Sequence, residues 1–196
     1  MSRMLQSALA ASLPGKPEPG LTVLDPVVTR MRVLPQDLDY MMVVNNGTYL
    51  QLMDVAGHRH VGKNGGLRLV TKRSWFGYVV ASTMRYRRPL RLWDRFEDTV
   101  RVLGWDDRVF YIEHVITRGG ELCTRGVVCT RFVHRRSRER IDPHDFVLLL
   151  AEQQGYPAPE SPELPADVVA WARSWQNPAR KDAPSALDRP GSEMNG

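Results

Sequence analysis

Hydrophobic and polar side chains alternate over the first regular segment of the chain, directly after a stretch rich in proline and glycine. Val27, Thr29, Met31 and Val33 share one face of this segment, and arginines lie between the later ones. A period of two residues is typical of a strand with one buried face. We therefore predict a first strand here, in a domain that begins near residue 22.

The spacing then changes to that of a helix. Side chains that can share one helical face recur three or four residues apart: Tyr49, Leu52, Met53, Ala56 and His60. Asn45 or Asn46 can cap the first turn with a side-chain oxygen, and the segment at residues 64–66, Asn-Gly-Gly, can end the helix in a left-handed conformation. We predict a helix over residues 47–63.

Beyond Gly66 the period returns to two residues. Four further strands are predicted, at residues 76–86, 95–103, 108–117 and 121–133. Pairs of turn-forming residues, aspartates at 106–107 and glycines at 119–120, separate the last three. The strands are expected to form an antiparallel meander, and His114, which lies in an apolar strand, is expected to be a hydrogen-bonded residue of the core or of an interface.

Two helices are predicted after the strands. Asp142-Pro143 is typical of an N-cap followed by proline at the first helical position, and this helix is expected to reach about Gln154. A second short helix is predicted over residues 165–175. The domain is expected to occupy residues 22–175, with a short amphipathic helix or a disordered segment at 1–21 and a disordered tail at 176–196.

Composition and charge exclude few functions. The 196 residues are 42% hydrophobic and 25% charged, as in one globular domain with tails. The net charge of +5 allows phosphate-bearing ligands, nucleic acid or anionic lipid as partners. No nucleic-acid-binding motif and no run of ~20 apolar residues is present, so neither a nucleic-acid partner nor a membrane span is expected. Cys123 and Cys129, the two cysteines, favour a cytoplasmic protein with buried thiols.

The common catalytic signatures are missing from the sequence, including the nucleophile elbow, the nucleotide-binding loops and any zinc-ligand spacing among the histidines. We therefore expect no metal or organic cofactor. The remaining candidate is an acidic segment with Asp37 and Asp39, directly before the capped helix. Amides at a helix N-terminus stabilise negative charge on a carbonyl oxygen, and a nearby carboxylate can activate water or attack the carbonyl carbon. The alternative is that both aspartates only satisfy amides of the turn.

These residues also resemble the motif of a known family. The motif runs Asp-x-Asp, a short turn with glycine, often His-x-Asn-Asn, then a tyrosine at the start of the central helix. Here Asp37-Leu38-Asp39 is followed at matching spacing by Asn-Asn-Gly-Thr-Tyr at residues 45–49. The chain resembles the 4-hydroxybenzoyl-CoA thioesterase-like branch of the hotdog superfamily over residues 27–175. Residues 84–90, 103–106 and 110–114 are similar to the subgroup related to mammalian thioesterase superfamily member 6.

The resemblance implies an α+β fold, a single hotdog domain in which a curved antiparallel β-sheet wraps a long central helix, with a C-terminal helical extension. It implies hydrolysis of an acyl-CoA or acyl-pantetheine thioester to a free acid and a thiol. Asp39 is then the nucleophile or general base, the Asn46 backbone amide polarises the carbonyl, and Asp37 supports the structure. A homodimer is implied, with a tetramer as the alternative.

Two positions depart from the motif. Met42 stands at the turn glycine, where it either reshapes the turn or lines an acyl pocket, and Val43 stands where many members carry histidine. We predict that both bind the substrate together with Val44, Asn45 and Tyr49. These departures leave a non-catalytic acyl-CoA-binding or regulatory hotdog protein as the alternative function. A dehydratase or hydratase is less favoured, because it needs a histidine at the helix entrance.

An arginine cluster follows the second predicted strand. Arg85, Arg87 and Arg88 are predicted to bind the phosphates of the CoA group, since guanidinium groups pair with phosphate oxygens in bidentate geometry. The alternative is a solvated strand end in an arginine-rich chain. Asp54, further along the central helix, is expected to be structural.

Overall fold

The alternating segments form five strands in the computed structural model, which describes residues 3, 5, 6 and 16–176. The strands are β1 (Val27–Arg32), β2 (Trp75–Tyr86), β3 (Arg95–Trp105), β4 (Phe110–Arg118) and β5 (Glu121–His134). All five predicted strands are thus confirmed, with ends that differ by one or two residues.

Four helices accompany the strands in the described residues. They are α1 (Asn46–Lys63), α2 (Gly66–Lys72), α3 (Pro143–Gln154) and α4 (Ala166–Gln176). The chain divides into two units, one that ends at Glu163 and one that begins at Leu164 and contains α4. No helix in the described ranges is long and apolar enough to cross a membrane.

The strands form one curved antiparallel sheet in the order β1-β3-β4-β5-β2. Strands β3, β4 and β5 make the predicted meander through the two predicted hairpins. The prediction is wrong for β2, which pairs with β5 and not with β3. The connection from β2 to β3 instead passes the start of α1, where the Val44 N–H donates to the Leu90 carbonyl oxygen at 2.9 Å. Strand β2 therefore lies at an edge of the sheet.

Helix α1 packs its predicted apolar face into the core, where Tyr49, Leu52 and Met53 are each at most 2% exposed. Asn45 is the N-cap, and its Oδ1 accepts a hydrogen bond from the Gly47 N–H at 2.8 Å. The helix begins one residue earlier than predicted and ends at the predicted Lys63. The acidic segment directly precedes the first turn of α1. The Asn45 cap therefore fixes the position of this segment relative to the helix.

Helix α2 contradicts the predicted return to period two after Gly66. Leu67, Leu69 and Val70 are all buried, and a short apolar run of this kind is compatible with either a strand or a helix. Gly65 has a φ of 84°, and a Cβ at this position would collide with the Gln154 side chain of α3. Gly65 thus adopts the left-handed conformation that the Asn-Gly-Gly segment predicts, whereas its close contact with Gln154, far along the chain, is not encoded by any local pattern.

Helix α3 confirms the prediction from Asp142-Pro143. The Asp142 side chain accepts a hydrogen bond from the His144 N–H at 2.8 Å, and proline occupies the first helical position. Phe146 then packs among aromatic rings of the sheet. The helix α4 is also confirmed, whereas the predicted N-terminal helix and C-terminal disordered tail lie outside the described residues, apart from Arg3, Leu5 and Gln6.

Several polar and thiol side chains lie in the core. His114 is confirmed as a core residue, with its Nδ1 3.0 Å from Asp98 Oδ2. Burial lowers the pKa of His60 to about 4, so this side chain is neutral at neutral pH. Cys123 and Cys129 are buried free thiols as predicted, and burial raises the pKa of Cys129 to about 12.

Candidate active site

Asp39, one of the two predicted catalytic residues, lies on a small antiparallel loop, which we call the acidic turn (residues 37–45), and Asn46, the other, directly follows this loop. The Asn45 N–H donates to the Asp37 carbonyl oxygen and the Asp39 N–H donates to the Val43 carbonyl oxygen, both at 2.9 Å. Between these bonds, Leu38 forms a β-bridge with Val44. The turn therefore joins Asp39 to the start of α1 through backbone hydrogen bonds.

Asp39 is half-buried on the acidic turn. Its Oδ1 accepts a hydrogen bond from the Met41 N–H at 2.8 Å, the geometry of an aspartate that closes a turn. Within the described residues, no hydrogen-bond donor contacts its other carboxylate oxygen. One oxygen thus holds the turn while the other is open to solvent, where it can accept a proton from water.

The Asn46 amide is the first N–H of helix α1. The cap at Asn45 bonds the next amide, that of Gly47, and no acceptor for the Asn46 N–H lies among the described residues. At the other end of this residue, in the following peptide group, the Tyr86 hydroxyl donates to the Asn46 carbonyl oxygen at 3.3 Å. The exposed amide and the helix dipole can together stabilise an oxygen that gains negative charge.

Met42 keeps the conformation that glycine would adopt at this position. Its φ is 60°, in the left-handed region, and its N–H donates to the Asp39 carbonyl oxygen at 3.1 Å. Its side chain is 59% exposed, beside Met41 at 65% and Tyr40 at 94%. The loss of glycine therefore costs backbone strain while the turn is retained.

Replacing Met42 with glycine is expected to raise the free energy of unfolding by about 1 kcal/mol, because glycine adopts a positive φ without a Cβ penalty. Urea unfolding measures the difference. Met42→Ala is the matched variant, since it shortens the side chain but keeps the Cβ, and it should show no gain. Met41→Gly, at the neighbouring position without a positive φ, should lower stability, and equal effects at both positions would contradict the strain.

Val44 and Tyr49, two predicted substrate-binding residues, lie in the core of the chain at 3% and 2% exposure. The Tyr49 hydroxyl accepts a hydrogen bond from the Leu90 N–H at 3.3 Å, and burial raises its pKa. Its ring centroid lies 5.3 Å from that of Tyr86. Both residues fix the entrance of α1 against the connection between β2 and β3, and their contact with substrate stays a prediction.

Two other predicted binding residues, Val43 and Asn45, are part of the acidic turn. Val43 is half-buried and forms a β-bridge with Arg91, and Asn45 is exposed. The bridge brings the connection after β2 alongside the turn. Among the described residues, no group of three or more His, Cys, Asp or Glu side chains is placed to hold a metal ion.

The predicted arginines lie at the end of β2, with their side chains exposed. The Arg87 and Arg88 amides donate to the Cys123 carbonyl oxygen at 2.8 and 3.1 Å, which fixes their backbone. Arg88 Nε lies 3.7 Å from Glu121 Oε2 in an exposed ion pair. The structure therefore places an exposed basic cluster near the turn, and its binding of phosphate stays a prediction.

Asp37 is fully buried, unlike Asp39. Its Oδ1 accepts a hydrogen bond from Arg3 Nε at 3.0 Å, and its Oδ2 accepts one from the Leu34 N–H at 2.7 Å. This arrangement supports its predicted structural role.

Sequence reasoning missed Arg3 and Tyr86 as residues of the site, because both reach it across long sequence separations that leave no local pattern. Asp54 is further along α1, and burial raises its pKa.

Comparison with known proteins places the chain in a family. The family described as the thioesterase-like superfamily matches residues 33–172. Protein THEM6 of Xenopus laevis is 32% identical over 144 residues, which cover 72% of this chain and 64% of that protein. Protein THEM6 of Danio rerio is 31% identical over 153 residues, covering 77% and 71%. The chain thus spans less than two thirds of the length of the frog protein.

Solved structures share the fold at low sequence identity. The probable thioesterase YbaW from Escherichia coli has a TM-score of 0.59 and 19% identity, over 65% of this chain and 97% of that one. The 1,4-dihydroxy-2-naphthoyl-CoA thioesterase from Synechocystis has a TM-score of 0.57 and 13% identity, over 68% and 100%. The curved sheet and its central helix match these neighbours, so the predicted α+β hotdog fold is confirmed. The chain belongs to the thioesterase-like superfamily as a THEM6-like member.

Proposed function

We propose that the protein hydrolyses an acyl-CoA or related thioester to a free acid and a thiol. The observation that carries the proposal is the backbone hydrogen bonding of the acidic turn, which holds Asp39, with one carboxylate oxygen free, close to the start of α1, where the Asn46 N–H has no acceptor among the described residues. Membership of the thioesterase-like superfamily supports it. Both groups come from the chain itself, and the proposed reaction uses no metal or organic cofactor.

In the proposed reaction, the Asn46 N–H donates a hydrogen bond to the carbonyl oxygen of the thioester, which makes the carbonyl carbon more electrophilic. Asp39 then either removes a proton from the attacking water or attacks the carbon itself. In the first case the carbon–sulfur bond breaks and the thiolate takes up the proton. In the second case a mixed anhydride forms as the thiolate leaves, and water cleaves the anhydride.

A CoA carrier is proposed from the arginines at the end of β2, which are exposed next to the turn. Two solved neighbours point the same way. A gentisyl-coenzyme A thioesterase has a TM-score of 0.56 with this chain, and a protein from Staphylococcus aureus with a TM-score of 0.57 was solved in complex with CoA. The apolar tip of the turn, at residues 40–42, is proposed to contact the acyl group.

A homodimer is proposed from the free edge of β2. This edge strand is 12 residues long and exposes Tyr78 and Val79, whereas the opposite edge strand, β1, has 6 residues and exposes Val28 together with Arg30 and Arg32. An exposed apolar edge favours pairing with another strand, and charged side chains oppose it. Two β2 strands would join the sheets of two chains. A monomer by light scattering at micromolar concentration would contradict this arrangement.

The second candidate is an acyl-CoA-binding protein without turnover. The strained Met42 and the hydrogen bond that already occupies Asp39 Oδ1 favour it.

A cytoplasmic location, predicted from the sequence, is also proposed, because both cysteines are free thiols.

The test offers the purified full-length protein a panel of acyl-CoAs that differ in chain length and in aromatic or aliphatic character. A thiol reagent records CoA release, and we expect turnover of at least one member well above the rate without protein. Calorimetry on the same panel measures binding. Binding without CoA release from any member would instead support the binding protein.

A further inference from the structure

Arg3 is far from the acidic turn in sequence and contacts it directly in the structure. Its Nε donates to Asp37 Oδ1 at 3.0 Å, and one of its terminal nitrogens donates to Asp37 Oδ2 at 2.6 Å. This is the two-bond pairing of a guanidinium with a carboxylate, which fixes the relative orientation of both groups. Arg3 and Asp37 are 4% and 0% exposed, so solvent does not compete for these bonds.

Arg3 makes two further hydrogen bonds to the chain. The nitrogen that bonds Asp37 Oδ2 also donates to the Arg32 carbonyl oxygen at 2.6 Å, and the other terminal nitrogen donates to Gln6 Oε1 at 2.7 Å. Burying an ion pair carries a large desolvation cost, which additional hydrogen bonds of this kind offset. Arg3 is therefore a built part of the fold at the end of β1.

Asp37 transmits this contact to both proposed catalytic groups. Its Oδ2 accepts the Leu34 N–H at 2.7 Å, and its carbonyl oxygen accepts the Asn45 N–H at 2.9 Å. Asn45 is the cap of α1 and precedes the amide of Asn46, and Asp39 follows Asp37 by two residues. A displacement of Asp37 would move the carboxylate and the helix cap relative to each other.

We propose that Arg3 is a positioning residue of the active site: its guanidinium holds Asp37, and through Asp37 it sets the distance between Asp39 and the Asn46 N–H. The inference rests on the proposed function, because these are the groups proposed to hydrolyse the thioester. It makes Arg3 part of the site, whereas the sequence predicted a domain that begins near residue 22. The acidic turn contains no arginine, so this guanidinium comes from a distant part of the sequence.

The experiment compares full-length variants in the acyl-CoA assay. Arg3→Met is expected to lower kcat by about 100-fold with little change in KM, since a misplaced catalytic group slows the chemical step. Arg3→Lys should recover only part of kcat, because an ammonium group cannot form the two-bond fork. Arg30→Met is the matched control: it removes an exposed arginine that pairs with Glu97, and it should keep the kcat of the original protein.

A double variant separates positioning from charge balance. Arg3→Met leaves the Asp37 carboxylate buried without its cation, and Arg3→Met with Asp37→Asn removes that charge while an amide oxygen can still accept the Leu34 N–H. We expect the thermal stability of the double variant to recover and its kcat to stay low. Recovery of kcat to the level of the unchanged protein would show that Arg3 only balances charge, and would overturn the proposal.

Amide hydrogen exchange gives a readout that does not depend on hydrolysis. In the Arg3 variants we expect the amides of Met42 and Asn45 to exchange at least about tenfold faster, which corresponds to local opening made easier by about 1.4 kcal/mol. Arg30→Met should leave them unchanged. If the unchanged protein hydrolyses no acyl-CoA, the proposed function fails while faster exchange still supports the positioning role of Arg3. If Arg3→Met changed neither the amide exchange rates nor kcat, the proposed positioning role of Arg3 would be overturned.

Discussion

Replacing Asp39 with asparagine is expected to lower kcat for acyl-CoA hydrolysis by about 1,000-fold, within the range that a general acid or base contributes. Asparagine has nearly the same size, and its amide oxygen can still accept the Met41 N–H that Asp39 Oδ1 accepts at 2.8 Å. The turn should therefore persist while the base or nucleophile is lost. Steady-state kinetics measure the rate, and calorimetry with a non-hydrolysable acyl-CoA analogue should show that binding is retained.

The matched control is Asp107→Asn, which removes an exposed carboxylate from the hairpin between β3 and β4. It should keep the original rate. If Asp39→Asn retains more than about a tenth of kcat, Asp39 is not the catalytic carboxylate. A single turnover in heavy-oxygen water then separates the two roles of Asp39. Heavy oxygen in the Asp39 side chain indicates attack by the carboxylate, and heavy oxygen only in the product acid favours activation of water.

Replacing Phe146 with alanine is expected to lower the free energy of unfolding by about 4 kcal/mol, the usual cost of removing a buried aromatic ring. Phe146 is 3% exposed, and its ring centroid lies 4.6 Å from that of Phe132, 5.4 Å from that of Phe110 and 5.9 Å from that of Trp75. These partners come from three strands, so the ring attaches α3 to the sheet. Urea unfolding followed by circular dichroism measures the change.

Leu148 is the control for Phe146, because it lies on the same helix and is 44% exposed. Leu148→Ala should change stability by no more than about 0.5 kcal/mol. Phe146→Leu should cost less than Phe146→Ala, since it keeps part of the volume. Equal losses for Phe146→Ala and Leu148→Ala would show that the aromatic contacts do not carry the attachment of α3.

The predicted elements that proved correct are those whose signals are local. The side chain of Asp142 bonds an amide two residues away, and that of Asn45 does the same at the start of α1, so neighbouring sequence is sufficient to place both helix starts. The same holds for the alternation in β3, where Phe96, Asp98 and Val100 are all buried as the pattern predicts. The position of the acidic turn before α1 was predictable for the same reason.

The features that could not be predicted depend on distant partners. The pairing of β2 with β5 is decided by the path between β2 and β3, and the Gly65 corner before α2 is in close contact with Gln154, far along the chain. In the site, the partner of Asp37 is Arg3, 34 residues away. The resemblance to the family motif predicts that Met42 stands at the turn glycine, but only the backbone shows that its φ is positive, as it would be for glycine. None of these contacts repeats with a period that a pattern could reveal.

Because the outer edge of β2 is unpaired in the single chain, we expect aggregation when the proposed dimer cannot form. Alternate residues of this 12-residue strand direct backbone donors and acceptors away from β5, towards any extended chain, and Val79 adds an apolar side chain that is 47% exposed. A substitution that separated the proposed dimer would leave this edge free in every molecule. Such a variant should therefore precipitate as it is concentrated, and lysine in place of Val79 should keep it in solution, because a charged side chain at an edge blocks further strand addition.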